Sequence, residues 1–197
     1  MKVRLQSWLS CGGDLISRFI NLKRLNIVDI LTCAATHGYL PLLRENTQII
    51  LGQLKTAVRE YKDLIGEDPL GIWLPECAYY EGLDQLMLEA GLRYAILDGH
   101  GLLHANPRPR YGVYAPITSK NGVAFFGRDA DSTKPVWSSK EGYPGDSAYR
   151  EFHKDFGWTL SKKALQDLGI EEHRPLGLKL HRVTDQTTPL DKKEIYN

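Results

Sequence analysis

Apolar positions along the chain recur first at helical and then at strand spacing. Between 14 and 25, Ile16, Phe19, Ile20, Leu22 and Leu25 fall mostly on one helical face. The run NIVDILT at 26–32 is β-rich and predicts a strand that ends in the polar, Gly/Pro-marked loop CAATHGYLP. The clearest helix is 46–65: Ile50, Leu54, Ala57, Val58, Tyr61 and Ile65 share a face, Asn46 is placed to cap the start, and Gly66 follows the end. Further strands are predicted at 70–74, stopped by Pro75, at 92–97, ending in DGHG, and at 123–126, ending in GRD. A short helix at 82–90, closed by Gly91, separates the first two of these. Residues 129–146 read as a long loop, 149–155 as an amphipathic helix with a solvated charged face, and 176–183 as a fifth strand. No repeat, linker or low-complexity tract interrupts the order. Strands alternating with helices imply a mostly parallel sheet or barrel, whose active site forms from loops at the carboxyl ends of the strands.

Bulk properties narrow the partners. The 197 residues suit one domain of ordinary size, and 42% hydrophobic with 25% charged residues is a globular balance. A net charge of +1 calls for neither nucleic acid nor an anionic membrane. No window has the ~18 uninterrupted apolar residues of a membrane span, and the N-terminal stretch lacks the apolar core of a signal peptide. Three cysteines, Cys11, Cys33 and Cys77, are an odd number without knuckle spacing, so neither a disulfide framework nor a zinc knuckle is expected. Free cysteines without an export signal point to the cytoplasm.

The chemically interesting residues follow the candidate strands. Glu76 sits after an apolar strand in GIWLPECAYY, beside Pro75 and among Trp73, Tyr79 and Tyr80. Aromatic rings are what a sugar stacks on, and a carboxylate on a rigid strand end is what glycosyl transfer needs as nucleophile. A solvated loop glutamate beside a core tryptophan fits the same residues. His37, beside Gly38, either reaches a ligand hydroxyl or caps its loop. His100 and His104 are four apart, but Gly99, Gly101 and Pro107 argue against a helix, and the spacing of a metal site is absent. His100, near Asp98, is then a polar site residue. Arg128 and Asp129 either bind substrate, with Asp129 as the in-chain candidate for a second carboxylate, or form a pair that orders the loop. Trp137 either belongs to a loop that covers a polymer or pins that loop to the core.

Four stretches, taken in order, resemble glycoside hydrolase family 57: ATHGYLPLL at 35–43, GIWLPECAYYEG at 71–82, ILDGHGLL at 96–103 and FFGRDADSTKPVWSSKEGYPGDSAYREF at 125–152. The long VWSSKEGYPGD loop is most similar to the branching-enzyme subgroup. The resemblance implies a (β/α)7 barrel and a retaining mechanism on α-1,4-glucans, with no metal or organic cofactor. It makes Glu76 the nucleophile and His37, Trp73, Arg128, Asp129, His100 and Trp137 substrate-site residues.

The match has departures. Glu81 and Pro135 differ from the family pattern at loop positions. The family's general acid/base, an aspartate in a later segment of the type D-x-E-L-F-G-H, has no counterpart before Asn197, and residues 1–13 do not resemble the family's first strand. A (β/α)8 barrel takes ~250 residues. The expectation is therefore an α/β fold, an incomplete (β/α)7 barrel with mostly parallel strands and helices outside. Residues 1–197 would be a single segment of a larger catalytic domain, inactive alone, whose partners are an α-1,4-glucan and the remainder of that domain. The alternative is a glucan-binding remnant without turnover. A deacetylase-like enzyme would need a metal-binding His/Asp set that the sequence does not offer.

Overall fold

A computed structural model describes residues 2–195; Met1, Tyr196 and Asn197, the outermost positions of the expected segment, lie outside the described residues. The chain divides into two compact units, residues 1–129 and 130–197.

The first unit holds the sheet. Its strands are β1 (Thr32–Cys33), β2 (Gly71–Trp73), β3 (Tyr94–Leu97), β4 (Ile117–Thr118) and β5 (Ala124–Gly127). They form one five-stranded sheet in the order β1-β2-β3-β5-β4. The pairs β1/β2, β2/β3 and β3/β5 are parallel, and only β4 runs antiparallel, against β5. Its helices are α1 (Lys2–Ser10), α2 (Leu15–Arg24), α3 (Thr47–Ile65), α4 (Leu83–Glu89) and α5 (Gly99–Leu103). The fold is thus α/β with a mostly parallel sheet, as expected, and the sheet does not close into a barrel.

Side chains alternate across the strands, so the two sheet faces are chemically distinct. Thr32, Ile72, Ala95 and Phe125 stand in register on one face, and all four are buried. That face joins Leu54 and Ile50 of α3 and Leu83 and Met87 of α4 in the core. The opposite face carries Cys33, Trp73, Ile96 and Phe126; the first three are half-buried and Phe126 is 43% exposed.

Helix α3 forms as its pattern predicts. The Asn46 side chain accepts from the Ile49 N–H at 3.2 Å, and Gly66 ends the helix at φ 89°, donating its N–H to Lys62 at 2.8 Å. Tyr61, on its buried face, donates its hydroxyl to the Ile30 carbonyl at 3.1 Å. Gly71 permits the close approach of β2 and β3, because a Cβ there would run into the Tyr94 ring and Leu31.

Several expectations need correction. The strand predicted at 26–32 shrinks to β1, because β2 offers partners only to Thr32 and Cys33, and Asn26 adopts a left-handed φ of 55°. A β-rich run without a neighbouring ladder stays irregular. The segment 99–103, read as non-helical from its glycines, forms α5 because Asp98 caps it, accepting from the His100 N–H at 3.3 Å. The antiparallel strand β4 and helix α1 were not foreseen, although Asn121-Gly122 is a hairpin signal.

The second unit departs more. Its helices are α6 (Ala130–Trp137), which occupies the first half of the predicted loop and contains Pro135, and α7 (Lys162–Asp167). The amphipathic helix predicted at 149–155 is absent, since the backbone there pairs across the chain. Glu151 donates its N–H to His181 at 2.8 Å, Val183 donates to Tyr149 at 2.7 Å, and Arg150 bridges Arg182. The strand predicted at 176–183 is reduced to isolated bridges at His181 and Arg182. The unit is anchored by buried Asp155, which accepts from the N–H groups of Gly157 (2.8 Å), Leu176 (3.1 Å) and Gly177 (2.9 Å) and pairs with Lys179 at 3.3 Å.

Candidate active site

Four parallel strands deliver their following residues to one end of the sheet. After β1 the chain turns at Ala34–His37, with the His37 N–H donating to the Ala34 carbonyl at 2.9 Å. Gln53 of α3 clamps this turn: its Oε1 accepts from the N–H and hydroxyl of Thr36 at 2.9 and 3.1 Å. After β2, the turn Pro75–Cys77 holds Glu76, closed by the Cys77 N–H donating to Leu74 at 2.8 Å. After β3 comes Asp98, and after β5 comes Arg128, whose N–H donates to Leu97 at 2.9 Å.

Three residues here occupy the left-handed region without being glycine: His37 (φ 54°), Glu76 (φ 56°) and Cys77 (φ 52°). Such conformations cost roughly 1–3 kcal/mol each and persist where the surroundings over-determine them, often at functional sites. The turn hydrogen bonds provide that determination, and the result is that Glu76 projects outward with its side chain 74% exposed. Its Oε1 lies 3.5 Å from His37 Nε2, longer than a direct hydrogen bond but within ion-pair range.

Arg128 organises the other half. Its guanidinium carbon lies 5.8 Å from the Trp73 ring centroid, a cation–π placement worth roughly 1 kcal/mol. Its Nη1 is 3.6 Å from Asp98 Oδ2 and 3.9 Å from Cys77 Sγ. Asp98 Oδ1 is also 2.8 Å from His100 Nδ1. The His100 hydrogen bond, ahead of the Arg128 charge, holds the Asp98 carboxyl below its ordinary value. Asp98 is therefore ionised at neutral pH and poorly suited to donate a proton. Burial pushes the Cys77 thiol up, against the pull of Arg128, so this buried cysteine stays a neutral floor under the arginine.

The structure thus brings together His37, Trp73, Glu76, Asp98, His100 and Arg128. Asp129, half-buried, follows Arg128 as the last residue of the first unit. Trp137 lies on α6 of the second unit and is 58% exposed. Sequence reasoning missed Cys33, Gln53 and Cys77, and nothing in their local pattern marks them, since each acts through a contact across the fold or a turn. Among the described residues, no group of three or more His, Cys, Asp or Glu side chains could hold a metal ion. No described helix is long and apolar enough to cross a membrane.

Known proteins share the sequence and the fold of this chain. The chain is 35% identical to 1,4-alpha-glucan branching enzyme TK1436 of Thermococcus kodakarensis, over 75% of this chain and 26% of that protein. The GH57-type branching enzyme of Pyrococcus horikoshii superposes with a TM-score of 0.73 at 33% identity, over 100% of this chain and 35% of its own. The alpha-amylase AmyC of Thermotoga maritima superposes with a TM-score of 0.77 at 36% identity, over 98% of this chain and 38% of its own. This chain therefore spans well under half the length of these relatives. The profile described as glycosyl hydrolase family 57 matches residues 1–181, and the chain belongs to that family.

Proposed function

We propose that this chain carries the nucleophile side of a retaining α-1,4-glucan site, of the branching-enzyme kind, within a larger catalytic domain. The observation that carries the reading is Glu76 itself: a carboxylate at a strand end, on a strained turn, exposed, 3.5 Å from His37 and next to Cys77, whose Sγ lies 3.9 Å from Arg128. In the first step a Glu76 carboxylate oxygen attacks the anomeric carbon. The glycosidic C–O bond breaks, and the leaving oxygen takes a proton from a carboxylic acid. In the second step the 6-hydroxyl of another glucan attacks the same carbon, releases the Glu76 carboxylate and returns a proton to the conjugate base of the first-step acid. Trp73 offers a stacking face, and Arg128 and His100 offer donors to sugar hydroxyls. Asp129 and Trp137 remain substrate contacts in this proposal.

Supplying the acid is the second requirement. Asp98 is held ionised, so the proton comes from another group, either Asp129 or a residue outside this chain. On the second assignment the chain alone turns over no glucan, and its functional partner is the remainder of the domain. The similarity to an alpha-amylase favours a second reading, in which water rather than a glucan hydroxyl accepts the sugar. A glucan-binding remnant without turnover is the third.

An activated α-maltosyl fluoride tests the nucleophile, because fluoride leaves with little protonation. Mass spectrometry should find the sugar on Glu76, and Glu76→Gln should abolish the adduct while leaving glucan binding largely intact. An adduct on Asp129 would overturn the assignment. Adding acceptor glucan or water to the labelled protein then separates transfer from hydrolysis.

A further inference from the structure

The site contains a donor chain that the proposed mechanism does not use. Cys33, the last residue of β1, places its Sγ 3.1 Å from His37 Nδ1. The other ring nitrogen, Nε2, lies 3.5 Å from Glu76 Oε1. The imidazole is therefore held from both sides, between a thiol and a carboxylate. Its backbone is fixed as well, by the left-handed φ of His37 and the Gln53 clamp on Thr36.

Proton placement follows from the partners. Glu76 faces Nε2, and an ionised carboxylate accepts only, so this contact favours the tautomer with the proton on Nε2. A neutral imidazole then has its lone pair on Nδ1 and requires a donor there. Cys33 is half-buried, and burial pushes its thiol up, so it remains S–H at neutral pH. The thiol is a weak but sufficient donor. We infer that Cys33 is a positioning residue: its S–H donates to His37 Nδ1, which fixes the tautomer and ring direction in which Nε2–H faces Glu76. This inference rests on Glu76 being the nucleophile only for its catalytic consequence, since the Cys33–His37 contact stands on geometry.

The consequence is orientation. His37 is half exposed, and water competes for both nitrogens. With Cys33 in place, the ring presents its N–H toward one Glu76 oxygen and so biases the orientation of the carboxylate. A flipped ring would present a lone pair to the carboxylate and repel it.

The S–H stretching band of the intact chain tests the first link. The difference spectrum between wild type and Cys33→Ala isolates the Cys33 band from those of Cys11 and Cys77. The expected band is shifted to low frequency in wild type and moves up in His37→Ala. A Cys33 band that His37→Ala leaves in place overturns the inference. Nitrogen-15 NMR of the unmutated chain is a second readout that needs no variant: the proton should be on Nε2, and finding it on Nδ1 overturns the inference equally. For the catalytic consequence, adduct formation from α-maltosyl fluoride should slow on the order of tenfold in Cys33→Ala and recover in Cys33→Ser, which restores a donor. Equal rates in wild type and Cys33→Ala would refute positioning. An adduct absent from every form, with the S–H shift present, would instead refute the nucleophile reading and leave the Cys33–His37 contact standing.

Discussion

At the scale of single residues, the site depends on backbone conformations that side-chain chemistry alone does not favour. His37, Glu76 and Cys77 all sit at positive φ, and each is held by a short turn hydrogen bond or a clamp from another element. Gly71 is the converse case, a position where any side chain is excluded. Its Cβ would meet the Tyr94 ring and Leu31, both part of the packing that aligns β2 with β3. Gly71→Ala should therefore destabilise the chain by about 1–3 kcal/mol, the usual consequence of overpacking. Urea denaturation followed by far-UV circular dichroism measures this, and a midpoint equal to wild type would show that the strands can separate freely. Tyr94 also donates its hydroxyl to Asp29, so shifting its ring would disturb the irregular 26–31 segment as well.

At the scale of elements, capping and buried charge decide which segments hold. Asn46 caps α3, the helix that covers the buried sheet face and supplies Gln53 to the His37 turn. Asn46→Ala should lower stability by about 1 kcal/mol, and Asn46→Asp should restore most of it; thermal melts of the two variants check the pair. In the second unit, Asp155 is the most deeply buried charged side chain among the described residues. Burial pushes its carboxyl up, but the N–H groups of Gly157 and Leu176, the Lys179 ammonium and the Gly177 N–H outweigh this and hold it below its ordinary value. A depressed folded value means that the unfolded chain binds the proton more readily. The stabilisation is thus complete above the ordinary carboxylate range near pH 4 and is lost as the pH falls through the depressed value. Asp155→Ala should cost on the order of 3 kcal/mol at neutral pH, because Lys179 and three N–H groups lose their acceptor. It should also flatten the acid limb of the stability curve. An acid limb identical in mutant and wild type would remove Asp155 from this role.

At the scale of the whole molecule, the asymmetry of the sheet is the main fact. One face is sealed by α3 and α4, while the other leaves Trp73 and Ile96 half-buried and Phe126 43% exposed. Trp73 of the candidate site stands on this open face, with the Arg128 guanidinium 5.8 Å from its ring centroid. A hydrophobic surface of this kind binds apolar dyes in a natively packed protein. The folded chain should enhance anilinonaphthalene sulfonate fluorescence at neutral pH with its near-UV circular dichroism intact, and Phe126→Gln should reduce the enhancement markedly. Undiminished dye binding in that variant would locate the exposed surface elsewhere.

The sequence by itself determined the parts governed by local rules. Helix α3 and its two caps, the alternation of strands with helices, and the placement of Glu76, His37, Asp98 and Arg128 just past strands all follow from periodicity and punctuation residues. The quoted segments likewise sufficed to place the chain in its family. Tertiary structure decided whatever depended on a partner far away in the chain. A strand at 26–31 needed a ladder that β2 does not extend to it, and the charged face at 149–155 gave way to pairing with 181–183. The cysteines show the division most clearly: their number and spacing excluded a disulfide framework, but only the folding of the β2 and β5 ends against each other set Cys77 Sγ within 3.9 Å of Arg128. Local propensities act over a few residues, whereas these contacts exist only once the sheet has brought separate strand ends to one edge.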